Sequence, residues 1–519
     1  MALAYYDDGV AMALGGGDSS EKLTTLSSIA DMGERGGAYA GDVVMLLNDA
    51  DDMVVLGACE ALASMGAAGA AYAGRVAELL RRGSEKKKCF AAGALGMMGP
   101  SAADYAESVA ALLSSSNPNA KAASVIALGS MKAESFAKEI GKCLDDASPA
   151  VVNGAITALT LLEEGGGSFA SDVKKKLDDP SADIRGSALM YFAKFGDSAL
   201  ANGDSICACL KDEDMGVRQA AVSVFEALGP RAAPLASACS GLLQDSSDPR
   251  CRAAAALAVG AVGPDAGGKD AALAESLAKL LADASEDRSQ LVYCVAGIQT
   301  RAPVAMAIPA CAAASALGSM KETGYAPQIA AMLSSHSMDI RIAAAAALGE
   351  LGSNSEDAII PGLEDPRASV RAAACSALGA IAKKTKAESG VAAKVAALFG
   401  DKSPVVREAA LAALGTMGEV ASNFTDSMKE LMEKDRAPAV RVAAIKALAN
   451  MGLKGQVYAP DICRCIYDEF TDIRVAGIQT LAEMGERGAS FADEVAEFLV
   501  DPDPEIKVAC LESLGKMGE

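Results

Sequence analysis

Asp401-Lys-Ser403-Pro404-Val-Val406-Arg407-Glu-Ala-Ala410-Leu-Ala-Ala413-Leu414-Gly-Thr-Met417-Gly418 is the stretch from which the rest of the chain can be read. Val406, Ala410, Ala413, Leu414 and Met417 fall at i, i+4, i+7, i+8 and i+11, which puts them on one face of an α-helix. Ser403 stands at the N-cap and Pro404 at the first helical position, where a missing N–H has no intrahelical partner to lose. A turn follows at Gly418.

The same closing turn recurs at Gly33, Gly66, Gly99, Lys132, Glu163, Gly196, Gly229 and Gly263, then at Lys321, Gly352, Ala382, Gly418, Gly452, Gly485 and Gly518, fifteen units mostly 33 residues apart. A fixed period of this kind overrides the three or four domains that 519 residues would otherwise suggest. The N-terminal Pro returns at 118, 149, 249, 438 and 504. Between units runs a second helical pattern, as in Ala38–Asp49, so each unit is expected to be a helical hairpin. Tyr39, Tyr72, Tyr105, Phe136, Phe169, Tyr325, Phe424, Tyr458 and Phe491 open that second pattern. One ring per hairpin beside an Ala-rich face is how stacked units fill the space between them.

Charge is periodic too. Eleven residues before the turn stand Arg185, Arg218, Arg252, Arg341, Arg371, Arg407, Arg441 and Arg474, with Lys22, Lys88, Lys121 and Lys507 in four other units. Six residues earlier stand Asp49, Asp146, Asp179, Asp212, Asp365, Asp401, Asp435, Asp468 and Asp501. An Arg in the first helical turn is disfavoured by the helix dipole, so the pattern predicts a structural ladder in which it pairs with the Asp of its own or an adjacent turn; the alternative is an anion site.

Composition removes most chemistry. The net charge of −21, from 47 Lys plus Arg against 68 Asp plus Glu, argues against a nucleic-acid groove and for partners with a basic or neutral contact surface. One His, His336, excludes imidazole-based nucleophile systems, His-rich zinc sites and His-Glu iron pairs. The 13 Cys are scattered through apolar stretches, where a thiol serves as a small hydrophobe; the pairs Cys207/Cys209 and Cys463/Cys465 are too sparse for a four-thiolate zinc site unless two repeats met. No catalytic residue, metal ligand or cofactor site is assigned. Cysteine usage indicates a reducing, intracellular setting and leaves cytoplasm and plastid both open. The first residues lack the basic and apolar regions of a secretory signal, and Arg301, Pro303 and Pro309 interrupt the one stretch approaching a membrane span.

The pattern D-x₂₋₃-P-x-V-R-x-A-A-x₂-A-L-G-x-M-G resembles HEAT repeats, in particular the short HEAT-like type named after phycobilisome lyases. The resemblance covers nearly the whole chain and implies an all-α fold: an α-solenoid, or superhelix, of about fifteen stacked hairpins, with the Arg-bearing helices on the inner wall. Two functions follow. The first is a non-catalytic scaffold or adaptor that binds proteins over a long acidic surface, a structural subunit of a larger assembly among the forms it could take. The second, carried by the repeat type alone, is a bilin lyase or lyase-accessory protein.

The period breaks once. From Gly263 to Lys321 is 58 residues, an excess of 25 over one unit. The organisation expected is therefore a remnant or cap over 1–20, a solenoid half over 21–263, an irregular insertion or seam over 264–310, and a second half over 311–519. The insertion, with its loop at Gly263–Asp270, reads as an extra helix, a seam, or an exposed apolar patch, and Tyr293, Gln299 and Arg301 are its candidate partner contacts. The final unit stops at its turn without a polar cap, an end expected to be covered by another subunit or by further residues.

Overall fold

The computed structural model describes residues 8–163, 165–244, 248–264, 271–285, 292–295, 298–301, 304–385 and 389–518. By contact the chain forms two compact units, one of Met1–Leu228 with Val292–Arg301, the other of Gly229–Leu291 with Ala302–Glu519. The break in packing thus falls one repeat before the break in sequence period.

In the first unit the long helices Ser19–Asp31, Asp52–Ser64, Glu85–Met98, Pro118–Ser130, Pro149–Leu161, Ala182–Lys194 and Met215–Leu228 stack in chain order. In the second, Pro249–Ala261, Pro309–Ser319, Met338–Leu351, Ala368–Lys384, Pro404–Met417, Pro438–Ala449, Thr471–Glu483 and Pro504–Met517 do the same. The fold is an all-α solenoid of repeated helical units. The predicted face is the buried one: Val406, Ala410 and Leu414 are fully buried, and Ala413 and Met417 nearly so.

Small residues set how closely the helices approach. A Cβ added to Gly96 would lie 2.8 Å from the Ala127 Cα, and one added to Gly129 2.5 Å from the Ala158 Cα. The glycine of the Ala-Leu-Gly motif is thus where one long helix touches the alanine of the next, and any side chain there would push neighbouring repeats apart. The closing turn has its own backbone demand. Gly418 holds φ 62° and ψ −135°, a region open essentially to glycine alone. Lys132 and Lys321 also take positive φ, at 54° and 59°.

The other arm of each unit is less regular than a helical hairpin implies. Gly33–Tyr39 and Val44–Asn48 are 3₁₀ turns around a four-residue α-turn, Ala40–Val43, and this pattern of short pieces recurs along the chain. Glycines in Gly33-Glu-Arg-Gly-Gly-Ala-Tyr39 weaken a continuous α-helix, and the tighter 3₁₀ turn spans the gap. The N-cap differs as well. The Ser403 hydroxyl makes no capping bond; the Asp401 carboxylate instead accepts the Ser403 N–H at 2.8 Å.

The insertion contains a local exception to the all-α pattern. Val292–Val295 (β1) and Ile298–Arg301 (β2) pair antiparallel, with Val292 opposite Arg301 and Val295 opposite Ile298. Of the alternatives for this stretch, an extra helix is not what these residues form: Val292, Val295, Ile298 and Thr300 are β-branched and favour a strand. A helix, Ala271–Leu280, precedes them. Most of the loop at Gly263–Asp270 lies outside the described residues. At the other end the helix Asp8–Gly16 packs on Ser19–Asp31 and buries Leu14.

Candidate interaction surface

The charged ladder crosses from each repeat to the next. Arg185 donates Nε and Nη2 to the two oxygens of Asp212 at 2.7 and 2.6 Å, Arg371 does the same to Asp401 at 2.8 and 2.9 Å, and Arg407 to Asp435 at 2.7 Å twice. The Asp six residues before each Arg contributes its main-chain carbonyl instead: Arg185 Nη1 reaches Asp179 O at 2.9 Å, Arg371 Nη1 reaches Asp365 O at 2.8 Å, and Arg407 Nη1 reaches Asp401 O at 2.8 Å. Each guanidinium therefore closes its own loop and clamps the following one.

Each carboxylate also works twice. Besides receiving the Arg of the repeat before, Asp401 and Asp435 accept the N–H two residues on, from Ser403 and Ala437 at 2.8 and 2.9 Å, which shapes the entry to the next long helix. The guanidinium of Arg371 holds Asp401 below the usual carboxylate range. At Asp435 burial works the other way, but Arg407 and the Ala437 N–H outweigh it and the net shift is downward.

Not every rung is alike. Lys22 and Lys121 reach Asp49 and Asp146 at 2.9 and 2.8 Å through single contacts. Arg441 joins Asp468 through Nη2 while its Nε takes the Met432 carbonyl at 2.8 Å. Asp179 caps Ser181 at 2.9 Å, but the position facing it from the previous repeat is Val152. Arg218, only 1% exposed, bonds the carbonyls of Asp212 and Glu213. Arg474 reaches Asp468 O at 3.1 Å and Thr471 Oγ1 at 3.3 Å, with its buried Nε unsatisfied, while Asp501 caps Asp503 at 2.8 Å. Arg341 bonds the carbonyls of Ser335 and His336, and Asp365, the carboxylate in register to receive it, pairs with Arg367.

One rung was missed in the sequence. Arg252 pairs with Asp283 at 2.7 Å. Counting back from Lys321 does not reach Asp283, because the insertion lies between; counting 31 residues forward from Arg252, close to the spacing of the other rungs, does.

The rings sit between consecutive short segments. A Cβ on Gly74 would lie 2.8 Å from the Tyr105 hydroxyl, and Tyr458 donates to Asp426 of the preceding repeat at 2.5 Å. Among the described cysteines all but the half-buried Cys89 are buried, and burial pushes Cys59, Cys209 and Cys375 up to about 12 and Cys465 up to about 11, well away from the reactive thiolate. Among the described residues no cluster of His, Cys, Asp and Glu could hold a metal ion, and no helix is long and apolar enough to cross a membrane.

The insertion's candidate contacts fall on the two strands, Tyr293 opposite Thr300, Gln299 opposite Cys294 and Arg301 opposite Val292; their side chains are not among those described. Strand β1 runs alongside Ala182–Lys194 and Met215–Leu228 in the first unit.

In the second unit, Met338–Leu351, Ala368–Lys384 and Pro404–Met417 leave a groove of about 440 Å³. Small side chains form its floor, with Ala345 and Ala373 buried, while Met338, Ile342 and Val405 stand 66, 55 and 59% exposed. Arg341 and Glu408 also line it. Met338 and Ile342 on one outer helix and Val405 on the other thus flank the small-residue floor of the middle helix with exposed apolar side chains, the kind of surface that makes a candidate for contact with a partner.

Residues 356–449 match the family model of HEAT repeats, and residues 340–365 that of the PBS lyase HEAT-like repeat. These matches identify residues 340–449 as HEAT repeats, one of them of the PBS-lyase-like type. No curated protein matches it. Among solved structures, its HEAT fold is similar to that in the Kap95:Nup1 complex, with a TM-score of 0.64 at 10% identity over 98% of this chain and 77% of that one. It is also similar to Kap121p bound to Ste12p, with a TM-score of 0.55 at 13% identity over 97% of this chain and 59% of that one. The HEAT-repeat chain thus spans about three fifths of the Kap121p chain. At these identities the likeness is one of fold.

Proposed function

We propose that the chain is a non-catalytic scaffold that binds one or more protein partners of basic or neutral contact surface along its stacked long helices. The observation that carries this reading is the division of labour among its side chains. The paired Arg and Asp residues hold one repeat to the next, the buried thiols sit well above the physiological range, and what the second unit's long helices leave exposed is an apolar groove. Reactive groups are spent on structure, and surface is what remains for function. Two structures of similar fold, the Kap95:Nup1 complex and Kap121p bound to Ste12p, are complexes of a protein of this fold with another protein, which supports the same use here. The net charge of −21 favours partners that are not acidic.

Affinity purification of the tagged chain from its native source tests this. A protein recovered in constant ratio to the chain, and lost in about 1 M salt if charge dominates, is the expected result. Recovery of the chain alone would overturn the scaffold reading, and transfer of a bilin to an acceptor protein in its presence would replace it with the lyase reading.

A further inference from the structure

The chain shows what its own ridge can hold. Aligned on the ladder arginines Arg218 and Arg407, Gly216 stands where Val405 does, Gln219 where Glu408 does, Ala220 where Ala409 does and Ser223 where Ala412 does. In the second unit this ridge is open: Val405, Glu408 and Ala412 are exposed. In the first unit it is covered: Gly216 and Ala220 are buried, Gln219 and Ser223 are half-buried, and β1 is a strand that lies against this helix and its neighbour Ala182–Lys194.

From this correspondence we propose that the groove at Met338, Ile342, Val405 and Ala412 seats an extended apolar segment of a partner protein, free of acidic residues, as the first unit seats its own β1. The proposal rests on the scaffold reading and names its surface. Three features point to an extended rather than a helical occupant. The helix bearing the equivalent ridge packs against a strand. The floor is of Ala and Ser, shallow enough for alternating side chains to lie along it. Arg341 lines the groove with its ladder carboxylate, Asp365, held by Arg367. A main-chain carbonyl of an extended segment is an acceptor for that guanidinium, whereas a helix has bonded its carbonyls internally. Acidic residues in the occupant are opposed by Glu408 and by the net charge, and the strand pair Val292–Val295 and Ile298–Arg301 carries Arg301 and no acid.

The probe is a fluorescein-labelled synthetic peptide with the sequence of residues 291–303 carrying Cys294→Ser, titrated by anisotropy against the full chain. Saturable binding is expected, weakened about tenfold or more by Ile342→Asp or by Ala412→Glu. Both positions are exposed, so the variants fold, which an unchanged thermal transition shows. Met53→Asp, at a site 54% exposed in the first unit, serves as the control and binds as the parent does. A second peptide with Gln299→Glu and Thr300→Glu binds about tenfold more weakly. No binding, binding that Ile342→Asp leaves unchanged, or tighter binding of the acidic peptide each overturns the proposal; so does a dimer that Ile342→Asp dissolves in sedimentation, which would make the occupant a second copy. If a native partner is captured equally well by Ile342→Asp, the groove fails and the scaffold stands; if the parent chain captures none, the scaffold itself fails.

Discussion

Breaking the Arg407–Asp435 rung measures what the ladder contributes. The two side chains are 15 and 5% exposed, and their contact is bidentate at 2.7 Å. Asp435→Ala removes both bonds, removes the acceptor for the Ala437 N–H, and leaves a guanidinium in the first turn of its helix with its Nη1 bond to Asp401 O. A fully buried pair broken from one side costs about 3–5 kcal/mol, and an exposed pair about 0–1. The residual exposure of Arg407 and its remaining carbonyl bond place this one at about 2–4 kcal/mol. Asp435→Asn keeps the N–H acceptor and costs about 1–2 kcal/mol. The sign of the second step is the sharper test. In the parent, Arg407→Ala is destabilising; in the Asp435→Ala background it is neutral or stabilising, because an unpaired cation at a helix N-terminus costs about 0.3–1 kcal/mol. The coupling energy is therefore about 1–3 kcal/mol. Urea unfolding followed by far-ultraviolet circular dichroism gives the global value, and hydrogen exchange across Pro404–Met417 and Pro438–Ala449 gives the local one, which matters because repeats can open separately. A coupling below about 0.3 kcal/mol, or one abolished by about 1 M NaCl, would show the rung to be an ordinary surface pair and remove the ladder as what binds repeat to repeat.

Three further outcomes follow from the geometry. Lys132 and Lys321 occupy the left-handed position of a helix-ending turn in which the next N–H reaches five residues back, Ala133 to Leu128 O and Glu322 to Leu317 O, so Lys132→Gly and Lys321→Gly each stabilise by about 0.5–1 kcal/mol, read as a higher thermal midpoint. The exposed Lys132–Glu163 pair that the first change removes contributes little. Asp49, Asp146, Asp401 and Asp435 all titrate below the ordinary carboxylate value, so the stability they confer is complete above about pH 4, where the unfolded chain is also ionised, and declines as pH falls through their folded values. A midpoint flat from about pH 7 to 5 and falling below about pH 4 is the expected profile, and a fall already at about pH 6 contradicts it. Iodoacetamide at about pH 8 leaves Cys59, Cys209 and Cys375 unmodified in the native chain, since burial holds these thiols protonated, and modifies the half-buried Cys89 ahead of them; equal labelling before unfolding contradicts this.

The repeat was legible because its most constrained contacts are made by the same small residues in unit after unit. Gly96 on Ala127 and Gly129 on Ala158 admit nothing larger, so the motif keeps its letters and the period shows. The ladder was half legible. Spacing revealed which Arg and Asp recur but left open which of them meet, because Asp401 serves Arg407 through its carbonyl and Arg371 through its carboxylate, and both positions carry the same letter. Asp283 was hidden by counting across the insertion rather than along the chain from Arg252. The irregular short arms were foreshadowed by glycines such as Gly36 and Gly37, which an amphipathic pattern overlooks.

The groove was the least legible feature. Ile342 sits one position after its Arg, where the type segment has Glu408, and Val442, Val475 and Val508 occupy the same place in other units. That substitution of an apolar for a polar residue was a signal available in the sequence. Helical periodicity discards it, because the position adjoins the buried face and an apolar residue there reads as a wider core stripe. Only exposure separates the two: Ile342 is 55% exposed and Val508 54%, while Val442 and Val475 are half-buried. A core stripe is specified by every repeat in the same way, since each must cover the next, whereas an interaction surface is specified by its departures from the repeat. The residues most informative about what this chain binds are therefore those at which units disagree: Ile342 against Glu408, Gly216 against Val405, and Asp365 turned to Arg367 rather than to Arg341.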